Sequence, residues 1–422
     1  MLTLNWKGKC LVFILLATIW LFLSQFEALG VHAYKDSVQH VGDLIVSDGE
    51  IMVINNTEYR QYGDVIVKKN GNLTIVNSSF CMAEQTRTYI TLSDDAMLNV
   101  MDSELTSQVH VLNFSCYNNS RILFKNTFFS FWGSTLIELW GNSTASFEDS
   151  RQKEWVQLEV HDVANVTVKN TTIAMIDSSG SSVAFFQNSS ITHGSSCKQY
   201  ATVILKHSNS NEWLTVEGSS NLIATEDSSL EILWPHDSSD IRINNSYVNT
   251  VEPSGSPKIL LANNSRINNF EIDLPSGYSI IHGLREGYIE NYTLYKDERI
   301  WPNISIYKSS VESFDLSVGS SSNLFLEDSS ISRLILSKYG SATVYNSEVE
   351  IVNCDSNSLV ILWNSRTALP VQSQPGAIVR YFSTVSLNLF YVIMATVIIL
   401  ALALTCAAMT FVFYRKSKKS TS

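Results

Sequence analysis

Asp94 and Asp95 stand side by side just before an alternating apolar run. Two carboxylates at a turn can hold a hard cation such as calcium, which takes oxygen ligands, or can simply face water. Asp237 and Asp240, beside His236, form a looser group of the same kind. The eight histidines contain no HExxH motif or close pair suited to zinc, and no G-x-S-x-G elbow accompanies the many serines. Glu148-Asp149, Glu226-Asp227 and Glu327-Asp328 resemble the paired acids that cut glycosidic bonds, but each sits at one recurring phase of the chain and reads as structural. No catalytic residue is therefore assigned. Flat aromatic rings offer a different chemistry, because they stack on sugar rings or anchor a protein partner. Trp140, Tyr307, Tyr345 and Trp363 are the ligand-binding candidates, against the alternative that a Trp beside a turn covers the end of its own core.

Asn-x-Ser/Thr triplets are frequent, and Asn55, Asn72, Asn113, Asn118, Asn142, Asn165 and Asn303 are the glycosylation candidates. Cys81, Cys116, Cys197 and Cys354 lie in the middle of the chain, with none at metal-ligand spacing. Cys81 and Cys116 are the one pair near enough in sequence to be weighed as a disulfide.

The elements that must carry these groups come from a repeat. Fifteen markers from Asn77 to Asn364 recur at steps of 17 to 27 residues, and all are Asn or Asp except His207 and Lys308. Ser or Thr follows every marker but Asn291. Counting the marker as zero, positions −4 and −2 are apolar (Leu73 and Ile75, Leu98 and Val100, Val166 and Val168), as is +3 (Phe80, Leu105, Phe129, Ile191), while −1 is largely polar. Two-residue alternation is the period of a half-buried strand. A strand of this kind buries its face only by stacking in parallel on the next, about 4.8 Å away. The zero residues are expected to point inward as a ladder of stacked amides, which would close Asn77, Asn170 and Asn188 to glycans.

This pattern resembles the right-handed parallel β-helix of the pectate-lyase-like kind over about residues 40 to 370. A left-handed helix of regular hexapeptides fits the uneven steps less well. The resemblance implies an all-β solenoid of about 15 coils, with Asn ladders along one turn. In enzymes of that kind it implies sites on the outer strand faces or adjoining loops, but many functions use the scaffold.

Lys7 and Lys9 precede the apolar run Cys10 to Leu23, so residues 1–33 read as a signal peptide. Residues 34–66 are expected to be an irregular cap, 67–367 the solenoid, 368–386 a stalk, 387–413 a transmembrane helix and 414–422 a basic cytoplasmic tail. The uncharged stretch Leu389 to Phe413 is long enough to span, and Arg415, Lys416, Lys418 and Lys419 after it set a type I orientation at the cell membrane. Leaving out the leader and tail leaves 23 basic and 39 acidic residues, a net charge of −16. That excludes nucleic acid as a partner, since it demands a basic face. The reading is a cell-surface structural or recognition protein serving adhesion, envelope organisation or glycan binding. Its partners would be the membrane, surface glycans or envelope proteins, and calcium is the one cofactor allowed for. The alternatives are a tethered polysaccharide lyase or glycoside hydrolase, and an accessory factor of a membrane complex.

Overall fold

Alternating side chains break each repeat into three short strands. The first coil runs Asp36–Val41, Leu44–Val46 and Ile51–Asn55, and the second Thr57–Tyr62, Val65–Val67 and Asn72–Val76. Each strand pairs in parallel with its equivalent one coil on, so Leu44 lies beside Val65 and Ile54 beside Ile75. The columns that begin with these three strands form sheets one, two and three. About 15 turns stack in this way into an all-β parallel solenoid, consistent with a right-handed parallel β-helix repeat. At the parallel strand spacing the stack is about 70 Å long. The computed structural model describes residues 36–386 apart from 84–87, 109–110, 132, 154, 273–277, 295–302, 317–322, 337–338 and 383–384. The proposed leader and membrane span lie outside the described residues. No helix among the described residues is long and apolar enough to cross a membrane.

Positions −4, −2 and +3 fill one continuous interior. Leu73, Ile75, Phe80, Leu98, Val100, Leu105, Val166, Val168 and Ile191 are all buried in a single cluster. Each such side chain contributes about 1.5–3 kcal/mol on leaving water. Phenyl rings meet inside the core: Phe124 lies edge-on to Phe129 at 4.9 Å and tilted against Phe147 at 5.0 Å.

The corner departs from expectation. Fourteen of the fifteen markers are left-handed, with φ between +45° and +62°, and their side chains point outward. Asn77, Asn170 and Asn188 are exposed, so the inward ladder of amides is corrected. A left-handed residue rotates the chain and shifts the alternation by one place, which puts the following hydroxyl inside. Asn and Asp tolerate this conformation better than other side chains. Their amides do form a ladder, but on the outside: Asn126 donates to Asp102 and Asn170 to Asp149, each at 2.8 Å. The interior ladder is made of hydroxyls. Ser78, Ser150, Thr171, Ser189, Ser208 and Ser228 each accept the backbone N–H of the coil before. Asn291 is not a corner, because it pairs in register with Asn269 beyond the corner of the coil before; the corner of its own coil falls at the register break between His282 and Gly287.

The first coil pairs with the second from Asp36 onward, its first strand largely exposed. The stretch read as a stalk is a further coil: Ile378–Phe382 pairs with Leu359–Trp363, and Val385–Ser386 with Arg366–Thr367. Pro375 and Gly376 (φ +94°) sit in its turn, where a missing N–H costs nothing.

The Cys81–Cys116 pairing is not made, and both are free thiols, as are Cys197 and Cys354. Cys81 faces outward from sheet one, whereas Cys116 faces the core from sheet two. Burial pushes the Cys116 thiol far above its usual range, Cys197 to about 12 and Cys354 to about 11. Peptide-resolved alkylation of the folded chain at neutral pH is expected to label Cys81 well before these three. Equal labelling of Cys116 would contradict its place in the core.

Candidate functional site

Asp94 and Asp95 are exposed at a turn, and each accepts a hydrogen bond from the next coil. Asn118 in the next coil donates its amide to Asp94 Oδ1 and Asn119 donates to Asp95 Oδ1, both at 3.2 Å. Asn142 in turn donates to Asn119 at 3.2 Å, so the turn between sheets two and three is an outer ladder of its own. Among the described residues, no group of three His, Cys, Asp or Glu is placed to hold a metal ion.

Of the glycosylation candidates, Asn55, Asn118, Asn142 and Asn165 are exposed. Asn72 is half-buried and accepts from Asn99 at 3.2 Å. Asn113 is 1 % exposed, in a strand buried on both faces from Leu112 to Cys116, and cannot carry a glycan in this fold. The side chain of Asn303 lies outside the described residues.

The richest constellation lies on the outward face of sheet two. Strands Ser134–Leu139, Trp155–Val160 and Met175–Ser178 pair in register, placing Glu138 beside Glu159 and Glu159 beside Asp177. Two residues further on, Trp140, His161 and Ser179 follow one another at the turn of the same three coils. The Trp140 indole stacks on the His161 ring at 3.9 Å. His161 Nδ1 shares a hydrogen bond with Ser179 Oγ at 2.8 Å, and its Nε2 lies 3.6 Å from Glu159 Oε2. Each acid has a neutral donor of its own: Ser115 to Glu138 at 3.0 Å, Gln157 to Glu159 at 3.0 Å and Ser196 to Asp177 at 2.5 Å. The aromatic character continues along this side. Trp155 stacks on His193 at 4.1 Å, and Trp213 stacks on Trp234 at 5.9 Å. Trp213 lies flat over Gly194, where a Cβ would fall 1.9 Å from its ring.

Compared with known protein families and with curated proteins, the chain matches none.

The remaining candidates share an outward column on sheet three. Register places Tyr307, Glu327, Tyr345, Trp363 and Phe382 in successive coils. Tyr345 and Trp363 are 6.5 Å apart, and Trp363 stacks on Phe382 at 4.9 Å. Tyr307 is cut off from them by Glu327 and packs on His282 at 4.7 Å. Burial, with Lys258 and Lys308 nearby, holds His282 below the usual imidazole range. A shallow groove of about 640 Å³ runs along the corner past Lys308, Asp328, Glu348 and Arg366, but its buried serines are already bonded in the hydroxyl ladder.

Trp140 is 36 % exposed at its turn, and sequence reasoning did not name its neighbours Glu138, Glu159, His161 and Asp177. Their signal was the repeated acid–x–turn phrase: Glu138-Leu139-Trp140, Glu159-Val160-His161, Asp177-Ser178-Ser179.

Proposed function

We propose that this chain is a membrane-tethered recognition protein of the cell surface that binds glycans along the outward face of sheet two. The observation that supports it is the run of in-register carboxylates beside the exposed Trp140. A sugar ring stacks its C–H face on an indole and donates its hydroxyls to flanking carboxylates, and the strand spacing repeats that offer every 4.8 Å or so. Three neighbouring acids on an ectodomain of net charge −16 repel uronic acids and sulfated chains. Neutral sugars and amino sugars are therefore the expected class.

A glycan array probed with the full chain in detergent tests this. Binding to neutral or amino-sugar oligomers is expected, falling tenfold or more in Trp140→Ala and in Glu159→Gln, and unchanged in Trp363→Ala. Binding confined to acidic polysaccharides, or indifferent to Trp140, would refute the assignment. A second reading is hydrolysis, favoured by the imidazole of His161 against Glu159 within the same acid row. One carboxyl would protonate the leaving oxygen while another activates water. Reducing ends released by the wild type but not by Glu159→Gln would convert the receptor into an enzyme.

A further inference from the structure

The last coil, residues 366–386, joins a basic, acid-free composition, which the coil 189–206 also has, to a set of exposed apolar side chains. It carries Arg366 and Arg380 and no Asp or Glu, in an ectodomain whose net charge is −16. Arg380 is exposed, and Arg366 is exposed beside its in-register neighbour Glu348 one coil up. Large apolar groups crowd the same coil: Ile378 is 52 % exposed, Tyr381 49 % and Phe382 40 %, with Trp363 47 % exposed one coil above. Tyr381 occupies an inward column beside Leu362, yet among the described residues no further strand covers it and it is 49 % exposed. Trp, Tyr and Arg together with aliphatic side chains are what the headgroup layer of a bilayer selects.

Chain length fixes what this end meets. Val385–Ser386 is still a paired strand, and the uncharged stretch begins at Leu389. Three residues reach at most about 10 Å even when fully extended. No free stalk separates the solenoid from that stretch.

We infer that the last coil seats in the headgroup layer of the membrane, with Trp363, Tyr381 and Phe382 in the interface and Arg366 and Arg380 against lipid phosphates. This rests on the membrane-tethered reading proposed above. The headgroup layer is about 5–7 Å deep on each side, against about 4.8 Å between coils, so it holds the last coil and the one above it. The solenoid is then braced by its own base, which keeps the Trp140 face at a fixed height above the lipid.

The test uses the full chain in nanodiscs of phosphatidylcholine, with and without phosphatidylglycerol, doped with a lipid carrying a nitroxide on its headgroup. Tryptophan emission is compared between the wild type and Trp363→Phe, so that the difference isolates one ring. A nitroxide-quenched component is expected in the wild type, absent from Trp363→Phe, larger with phosphatidylglycerol, and reduced in Arg380→Glu at unchanged circular dichroism. Equal quenching of the wild type and Trp363→Phe in a chain that resists carbonate extraction would overturn the seating alone. Release by carbonate would overturn the tether and the seating with it.

Discussion

Replacing Phe124 by alanine is expected to cost about 3–5 kcal/mol and to split the unfolding of the solenoid into two steps. Phe124 is fully buried and touches rings on three sides: Phe114 at 5.7 Å, Phe129 at 4.9 Å and Phe147 at 5.0 Å. Phe114 and Phe129 belong to other strands near its own level, while Phe147 is its in-register neighbour one coil on. Removing the ring therefore opens a cavity and also weakens the contact between coils. In a stack where each repeat meets only its neighbours, such a lesion lets the coils on either side melt separately. Urea unfolding read by tryptophan emission checks this, with Phe124→Leu as the control expected to lose much less. A single transition at an unchanged midpoint would show that these rings are not part of a shared core.

The parts of the fold legible in the sequence are those governed by one period. Leu73, Ile75 and their equivalents announce an inward face because alternation within one strand cannot hide it. The corner was misjudged for a physical reason. Alternation carried through the marker puts position zero inside, but Phe80 and its equivalents at +3 are apolar on the opposite phase. That contradiction already contains the answer, since a single left-handed residue at zero reverses the phase and sends Ser78 inward instead of Asn77. The candidate site was hidden by a different effect. Sheet two is reached from sheet one through links of varying length, such as 63–64 and 192–194, so counting from the marker loses register there. Counting instead from the two-residue turn that leads into sheet three keeps it, and aligns Glu138, Glu159 and Asp177 at once.

The four aromatic candidates divide by environment. Trp140 has carboxylates and an imidazole within reach, so it sits in a polar, hydrogen-bonding face suited to sugars. Trp363 has a phenyl ring below it and Tyr345 above, with arginines on the same coils, which suits an interface with lipid. Tyr307 belongs to neither group, because its ring is occupied by His282 and Phe325. Identical side-chain chemistry thus takes its role from what the register sets beside it.

Ser189→Ala is expected to destabilise the chain by about 1–3 kcal/mol, an unusual amount for deleting one hydroxyl. Ser189 Oγ accepts from the Thr171 N–H at 3.3 Å and lies 2.7 Å from the Gln187 carbonyl, to which it donates. Alanine leaves a buried N–H without its acceptor in a place no water reaches, and the full desolvation cost of that group is then felt. Ser189→Thr should cost less than about 1 kcal/mol, because threonine already fills the equivalent place at Thr57, Thr127 and Thr171. Asn170→Gly makes the opposite test on the outer ladder, where Asn170 donates to Asp149 at 2.8 Å. Its φ of +48° suits glycine and its side chain is exposed, so a change within about 0.5 kcal/mol is expected. Denaturant midpoints for the three variants rank the two ladders. If Asn170→Gly proved the costly one and Ser189→Ala the silent one, the outer amides rather than the inner hydroxyls would be holding the corner. The asymmetry follows from dielectric surroundings: the outer ladder can trade its bonds for water, and the inner one cannot.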